Sequence, residues 1–197
     1  MSAVPQPQMR GALAPAEPIP GLPGCNMGHF WSWAYSNLLE NTVRPAFAEF
    51  VVGTILGVTG DGRKVWDAVD LRYGGHAIEI KSSGYVQAWP QTRPSNIQFD
   101  IGRKLAWDQR TNTTAMTPTR IADCYVFCLH DERDKAKANP LDVSSWRFWV
   151  LPTARIDQQF GDQRSVTLSR LAPLTDPVTA TTLRRAVHEA LGLEPTE

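Results

Sequence analysis

Two consecutive glycines, Gly74-Gly75, separate two short runs, Trp66 to Arg72 and His76 to Ser82. A Gly-Gly pair suits the two-residue turns that need positive φ, and such a turn closes an antiparallel hairpin and fixes its register. With these glycines as the turn, Tyr73 faces His76, Leu71 faces Ile78 and Asp70 faces Glu79. Directly opposed residues project from one face of a sheet, with Cβ atoms about 5 Å apart. Lys81, two residues beyond Glu79, shares that face, and Leu71, Ile78 and Ile80 fall on the apolar one.

Two carboxylates this close repel each other, so one holds a proton unless positive charge is supplied. A divalent cation supplies it, and hard oxygen ligands suit Mg²⁺ or Mn²⁺, with the backbone carbonyl of Ile80 as a further donor. Lys81 stands where an ammonium stabilises a phosphorane-like charge or positions an attacking water. Such a set can hydrolyse a phosphodiester. The Glu79-Ile80-Lys81 motif is short, however, and it also reads as the polar face of an amphipathic strand with Asp70 as a cross-strand partner. Asp67 is a competing acid, but its odd offset from Asp70 turns it to the other face.

Glu49 adds a fourth group. It sits in Ala46-Phe47-Ala48-Glu49-Phe50-Val51-Val52, a helix apolar on nearly every side. A carboxylate there needs a partner or a metal. Its helical neighbours offer none, which leaves Arg44 as the structural candidate.

The rest of the chain reads as one domain's worth of residues, 197 in all. Residues 1–28, rich in Pro, Gly and Ala, read as a flexible tail before a single domain over 29–197. Phe30, Trp33, Ala34 and Leu38 recur at helical spacing, ending near Asn41, and a second helix runs from Arg44 to about Leu56 between Pro45 and Gly57. After the hairpin, Ile97, Phe99 and Ile101 alternate, Cys124 to His130 reads as a buried strand, and Trp146 to Leu151 as another. Asp131 to Ser145 reads as a solvated loop. A last helix ends at Leu191, striped by Leu183, Val187, Ala190 and Leu191 and stopped by Gly192. This order implies an α/β or α+β sandwich around one sheet.

At this point the residues resemble the PD-(D/E)xK nuclease superfamily, shared by restriction endonucleases, Holliday-junction resolvases and several repair exonucleases. The matching pieces are Ala48-Glu49-Phe50, Val69-Asp70-Leu71 and Ile78-Glu79-Ile80-Lys81-Ser82-Ser83. Phe30-Trp31-Ser32-Trp33-Ala34 and Lys81 to Trp89 also look like an uncharacterised bacterial group within it. The resemblance implies a restriction-endonuclease-like mixed sheet flanked by helices, with metal held by Asp70, Glu79 and Glu49, and Lys81 as the catalytic lysine. Gln87 is similar to a glutamine that many members carry on the helix after the motif strand. No proline precedes Asp70, where the name-giving pattern has one. DNA hydrolysis in defence or repair is then the expected activity. A non-catalytic descendant that binds nucleic acid or protein, and a hydrolase of another phosphate ester, are the rivals.

Formal net charge is zero, so bulk basicity gives no argument for a nucleic-acid partner. A local basic groove can still form from Arg63, Lys64, Arg93, Arg103, Lys104, Arg110 and Arg120, with Trp89 or Trp107 stacking on a base. The odd cysteine count, Cys25, Cys124 and Cys128, and the lack of a signal-like start favour a reducing, cytoplasmic setting. Cys124 and Cys128 read as core residues, since no second pair matches them. His76 and His130 have no nucleophile spacing, and Gly57 to Gly62 lacks the Lys-Ser/Thr of a phosphate-binding loop. No stretch approaches the roughly 20 apolar residues of a membrane span. Cutting a duplex on both strands would suit a homodimer.

Overall fold

Four strands form the central sheet, in the order β1-β2-β6-β7. They are β1 (Leu71–Tyr73), β2 (His76–Gly84), β6 (Cys124–His130) and β7 (Trp146–Pro152). The computed structural model describes residues 11–60, 62–63, 68–105, 107–108 and 113–194. β1 and β2 are antiparallel with Leu71 opposite Ile78 and Tyr73 opposite His76, the register that the Gly-Gly turn predicts. Gly74 and Gly75 supply the turn with φ of 57° and 83°. β2 runs parallel to β6, which is antiparallel to β7, so the sheet is mixed. Of the first strand expected over Trp66 to Arg72, Trp66 and Asp67 lie outside the described residues, and Ala68, Val69 and Asp70 form bends before β1, so the expected Asp70–Glu79 pair is not part of the ladder.

Each face of this sheet has its own core. Ile78, Ile80, Val126, Cys128, Phe148 and Val150 point to one side. There they meet α2 (Arg44–Leu56) and α5 (Ala180–Leu191) through Ala48, Val52, Leu56, Leu183 and Val187. Tyr125, Phe127, Leu129, Trp149 and Leu151 point to the other side. This face is covered by β3 (Gln98–Asp100) paired with β8 (Ser165–Thr167), and by α3 (Thr153–Phe160) and α4 (Leu168–Leu171). A short pair, β4 (Trp107–Asp108) and β5 (Thr113–Thr114), stands apart. The architecture is mixed α and β, with helices flanking the sheet, as the element order implies.

Local signals set most boundaries. α2 begins with Pro45 in its first turn and ends at Gly57, whose φ of 80° is the left-handed cap. α5 ends the same way at Gly192, with φ of 65°. Ile97, Phe99 and Ile101 are buried while Gln98 and Asp100 are exposed, as their alternation requires. Cys124 and Cys128 are buried apolar-core thiols.

Three features differ from the sequence expectations. α1 (Met27–Tyr35) starts two residues inside the segment read as a tail and stops well before Asn41. Asn26 caps it in a reciprocal pair with His29, and Asn37 takes its own turn by accepting from Leu39 N and donating to Glu40. Residues upstream of Asn26 are also folded back, through the bridge between Pro18 and Asn26. The run after β2, where the resemblance implies a helix bearing Gln87, is irregular backbone with bends. And α3, β8 and α4 complete the second core, although no periodic run announced them.

Among the described residues, no helix is long and apolar enough to cross a membrane.

Candidate active site

Glu79 and Lys81 point to the same face of β2, opposite Tyr125 and Phe127 of β6, as period-two alternation demands. Asp70 sits one residue before β1. In the antiparallel ladder the next hydrogen-bonded partner for Ile80 would be Val69. The Asp70 carboxylate takes that place, accepting the Ile80 N–H at 2.6 Å. The Asp70 side chain therefore lies at the sheet edge, between the face carrying Glu79 and the face covered by α2. Within a strand the N–H and C=O of one residue leave on the same side, so the Ile80 carbonyl also points toward Asp70's edge.

Each neighbouring acid has a cation. Glu79 is buried, and its Oε1 accepts from Lys81 Nζ at 2.5 Å and from Lys104 Nζ at 2.6 Å. Glu49, buried on α2, is held by Arg63 in a fork: Nε to Oε2 at 2.5 Å and Nη2 to Oε1 at 2.6 Å. Arg44, the partner expected from sequence, instead donates to the Leu39 carbonyl and to Gln87 Oε1. Asp70, Glu79 and Glu49 thus form a charge-balanced group with Lys81, Lys104 and Arg63.

The balance is uneven. Burial pushes the Asp70 carboxyl up to about 6, with the charges of Glu79 and Glu49 adding to it. The Ile80 N–H and the Lys81 ammonium oppose this without cancelling it. Burial also works to raise Glu79, but the charge of Lys81 and the bonds from Lys104 and Lys81 outweigh it, leaving Glu79 below the ordinary carboxylate value. Burial works to lower Lys104, and Glu79 more than offsets that, so this ammonium is raised. Asp70 is therefore the acid whose negative charge is least compensated.

A divalent cation suits this donor set by its chemistry. The charge of Glu79 reaches Asp70, the Ile80 carbonyl points to the same edge, and burial first, then neighbouring negative charge, holds the Asp70 carboxyl up at about 6. As the side chains stand, no three His, Cys, Asp or Glu residues among those described are grouped closely enough to hold a metal. Glu79 and Glu49 face their cations, and a metal at the site would have to take them from Lys104 and Arg63. Beside Asp70 and Glu49 opens a cleft of about 650 Å³, walled by Phe50, Val58, Val69 and Leu71.

Gln87 is buried but turned to other work. Its amide oxygen accepts from Arg44, and its nitrogen donates to the Gly84 carbonyl at 2.8 Å and Ser95 Oγ at 3.1 Å. It fastens the segment after β2 to α2. Of the basic residues considered from sequence, Arg63 and Lys104 reach the acids. Arg103 pairs with Asp157 and Asp162, and Arg120 is buried against the Ile101 carbonyl and Asp157. Arg93 is exposed. Lys64, Asp67 and Arg110 lie outside the described residues, as does the side chain of Trp107. Trp89 is half-exposed, His130 is packed on Trp146, and His76 Nδ1 lies 3.5 Å from Asp123. The double hold on Glu79 was missed from sequence. Lys104 lies 25 positions away, beyond β3, and only its charge was visible.

Compared with known proteins, the chain matches no family model, no curated protein and no solved structure.

Proposed function

We propose that this protein is a divalent-metal-dependent nuclease that hydrolyses DNA phosphodiesters, with a restriction-endonuclease-like version of its mixed α and β fold. The observation that carries this is the meeting of Asp70, Glu79 and Lys81 at one hairpin edge, with the Asp70 carboxyl raised to about 6. A helix acid, Glu49, lies near enough for its charge to act on Asp70, and this set resembles the PD-(D/E)xK pattern without its proline. Asp70, Glu79, Glu49 and the Ile80 carbonyl would hold Mg²⁺ or Mn²⁺. The ion, when bound, supplies positive charge that polarises the phosphate. Lys81, largely buried beside Glu79, orients the attacking water and stabilises charge gathering on the phosphate oxygens. Gln87 serves by holding the backbone around the motif strand. Defence against foreign DNA and repair are both settings for such an enzyme.

Incubation of the protein with supercoiled plasmid and Mg²⁺ or Mn²⁺ tests this. Nicked or linear product is expected, with a loss of about 100-fold or more in Lys81→Ala and Asp70→Ala. Cleavage that survives in either variant removes the assignment.

One observation favours a second reading. The acids already have internal cations, Arg63 on Glu49 and Lys81 with Lys104 on Glu79. A non-catalytic relative that binds nucleic acid or a protein partner would keep such pairs as structure. Calorimetry with Mn²⁺ separates the two: the nuclease reading requires a binding isotherm from folded protein, and the second reading predicts none.

A further inference from the structure

We propose that Lys104 is a substrate-binding residue of this site, released from Glu79 when a divalent cation binds and then clamping the phosphate to be cut. This rests on the nuclease reading above and adds a residue and a sequence of events to it.

Two ammonium groups share one oxygen, Glu79 Oε1, at 2.5 Å from Lys81 and 2.6 Å from Lys104. They are not equivalent. The Lys81 side chain is 16 % exposed and belongs to the strand, whereas that of Lys104 is 52 % exposed and approaches from solvent. A carboxylate that turns to a dication has less attraction left for a second ammonium. Of the two lysines, the solvent-side one has room to leave, and Lys81 does not.

The backbone of Lys104 is held, and Glu79 holds its head from the half-exposed rim. Lys104 and Thr119 form an antiparallel bridge, with Lys104 N to Thr119 O at 2.9 Å and Thr119 N to Lys104 O at 3.0 Å. Adjacent side chains on extended backbone point opposite ways, and Arg103 is fixed on the other side by Asp157 and Asp162. The lysine stem therefore swings from a fixed anchor at the rim of the acid group. A phosphodiester placed against Asp70 and Glu79 would bring its non-bridging oxygens within that reach. The amine is a mobile point charge, which suits a phosphate whose geometry changes during reaction.

The test uses full-length protein. In the Lys81→Ala background, where cutting is removed, labelled duplex DNA is titrated by anisotropy across a salt series. With EDTA, Lys81→Ala and Lys81→Ala/Lys104→Ala should bind alike, since Lys104 is still held by Glu79. With Mn²⁺, the single variant should bind more tightly and with a salt slope steeper by about one, and the double variant should gain neither. In otherwise wild-type protein, Lys104→Ala should raise KM for plasmid about tenfold with a smaller effect on kcat. It should also tighten Mn²⁺ binding about fivefold, because a competing cation is gone. Lys104→Arg should restore KM, and Lys104→Gln should not. If wild-type protein cleaves but Lys104→Ala keeps its KM and salt slope, this inference falls and the nuclease reading stands. If wild-type protein neither cleaves DNA nor binds Mn²⁺, both fall together.

Discussion

Asp70 carries an unusual load for one side chain. Its carboxylate completes a backbone ladder by accepting from Ile80, yet it lies within the fields of Glu79 and Glu49. Its pKa rises from 3.8 to about 6, so the folded state disfavours the ionised form relative to the unfolded chain. The native state binds the proton more tightly, and this group's favourable contribution is full below pH 3.8 and lost as pH passes about 6. Asp70→Asn keeps an acceptor for Ile80 and removes the charge. In EDTA at pH 8 it should be more stable than wild type, by up to about 3 kcal/mol, with the difference fading below pH 4. Urea midpoints at the two pH values check this, and a variant less stable at pH 8 would contradict it. Added Mn²⁺ should reverse the order, raising the Tm of wild type alone. Glu49 teaches a complementary lesson: its burial was legible in an apolar helix, but its partner Arg63 comes from a loop 14 positions on, where no periodicity points.

The hairpin is the element that makes the site. Gly74 and Gly75 adopt positive φ, and that turn sets Leu71 opposite Ile78, leaving Asp70 to meet the end of the ladder. A Cβ on Gly75 would meet no atom within 4 Å, so Gly75→Ala should cost only its conformational penalty, about 1–2 kcal/mol. Urea unfolding measures that cost, and a neutral result would mean the turn is not held as described. The hairpin, α2, β6, β7 and α5 were legible because each is written locally, in a Gly-Gly pair, a Pro start, a Gly stop or an unbroken apolar run. α3 was not legible: Ile156 and Phe160 are spaced for a helix, but their burial depends on β7 and the β3–β8 pair, which are distant in sequence. The expected helix around Gln87 failed for a related reason. Gln87 and Gln91 spend their side chains on nearby backbone and on Ser95, which stabilises a bent segment instead.

At the scale of the whole molecule, a sheet with two separate cores presents the acids at the edge where both coverings end. α2 brings Glu49 from one side, β2 carries Glu79 and Lys81 on the other, and Asp70 lies between them. Rigid packing on both faces fixes the strand atoms, so the parts able to rearrange are the cations at the rim, Lys104 and Arg63, each about half-exposed. On the nuclease reading, these acids gather a divalent cation once that rim opens. Crystals soaked in Mn²⁺ and measured at the manganese edge test it directly. An anomalous peak bounded by Asp70, Glu79 and the Ile80 carbonyl is expected, with the Lys104 ammonium withdrawn from Glu79. An empty site, with Glu79 still held by both lysines in crystals that show manganese elsewhere, would contradict it.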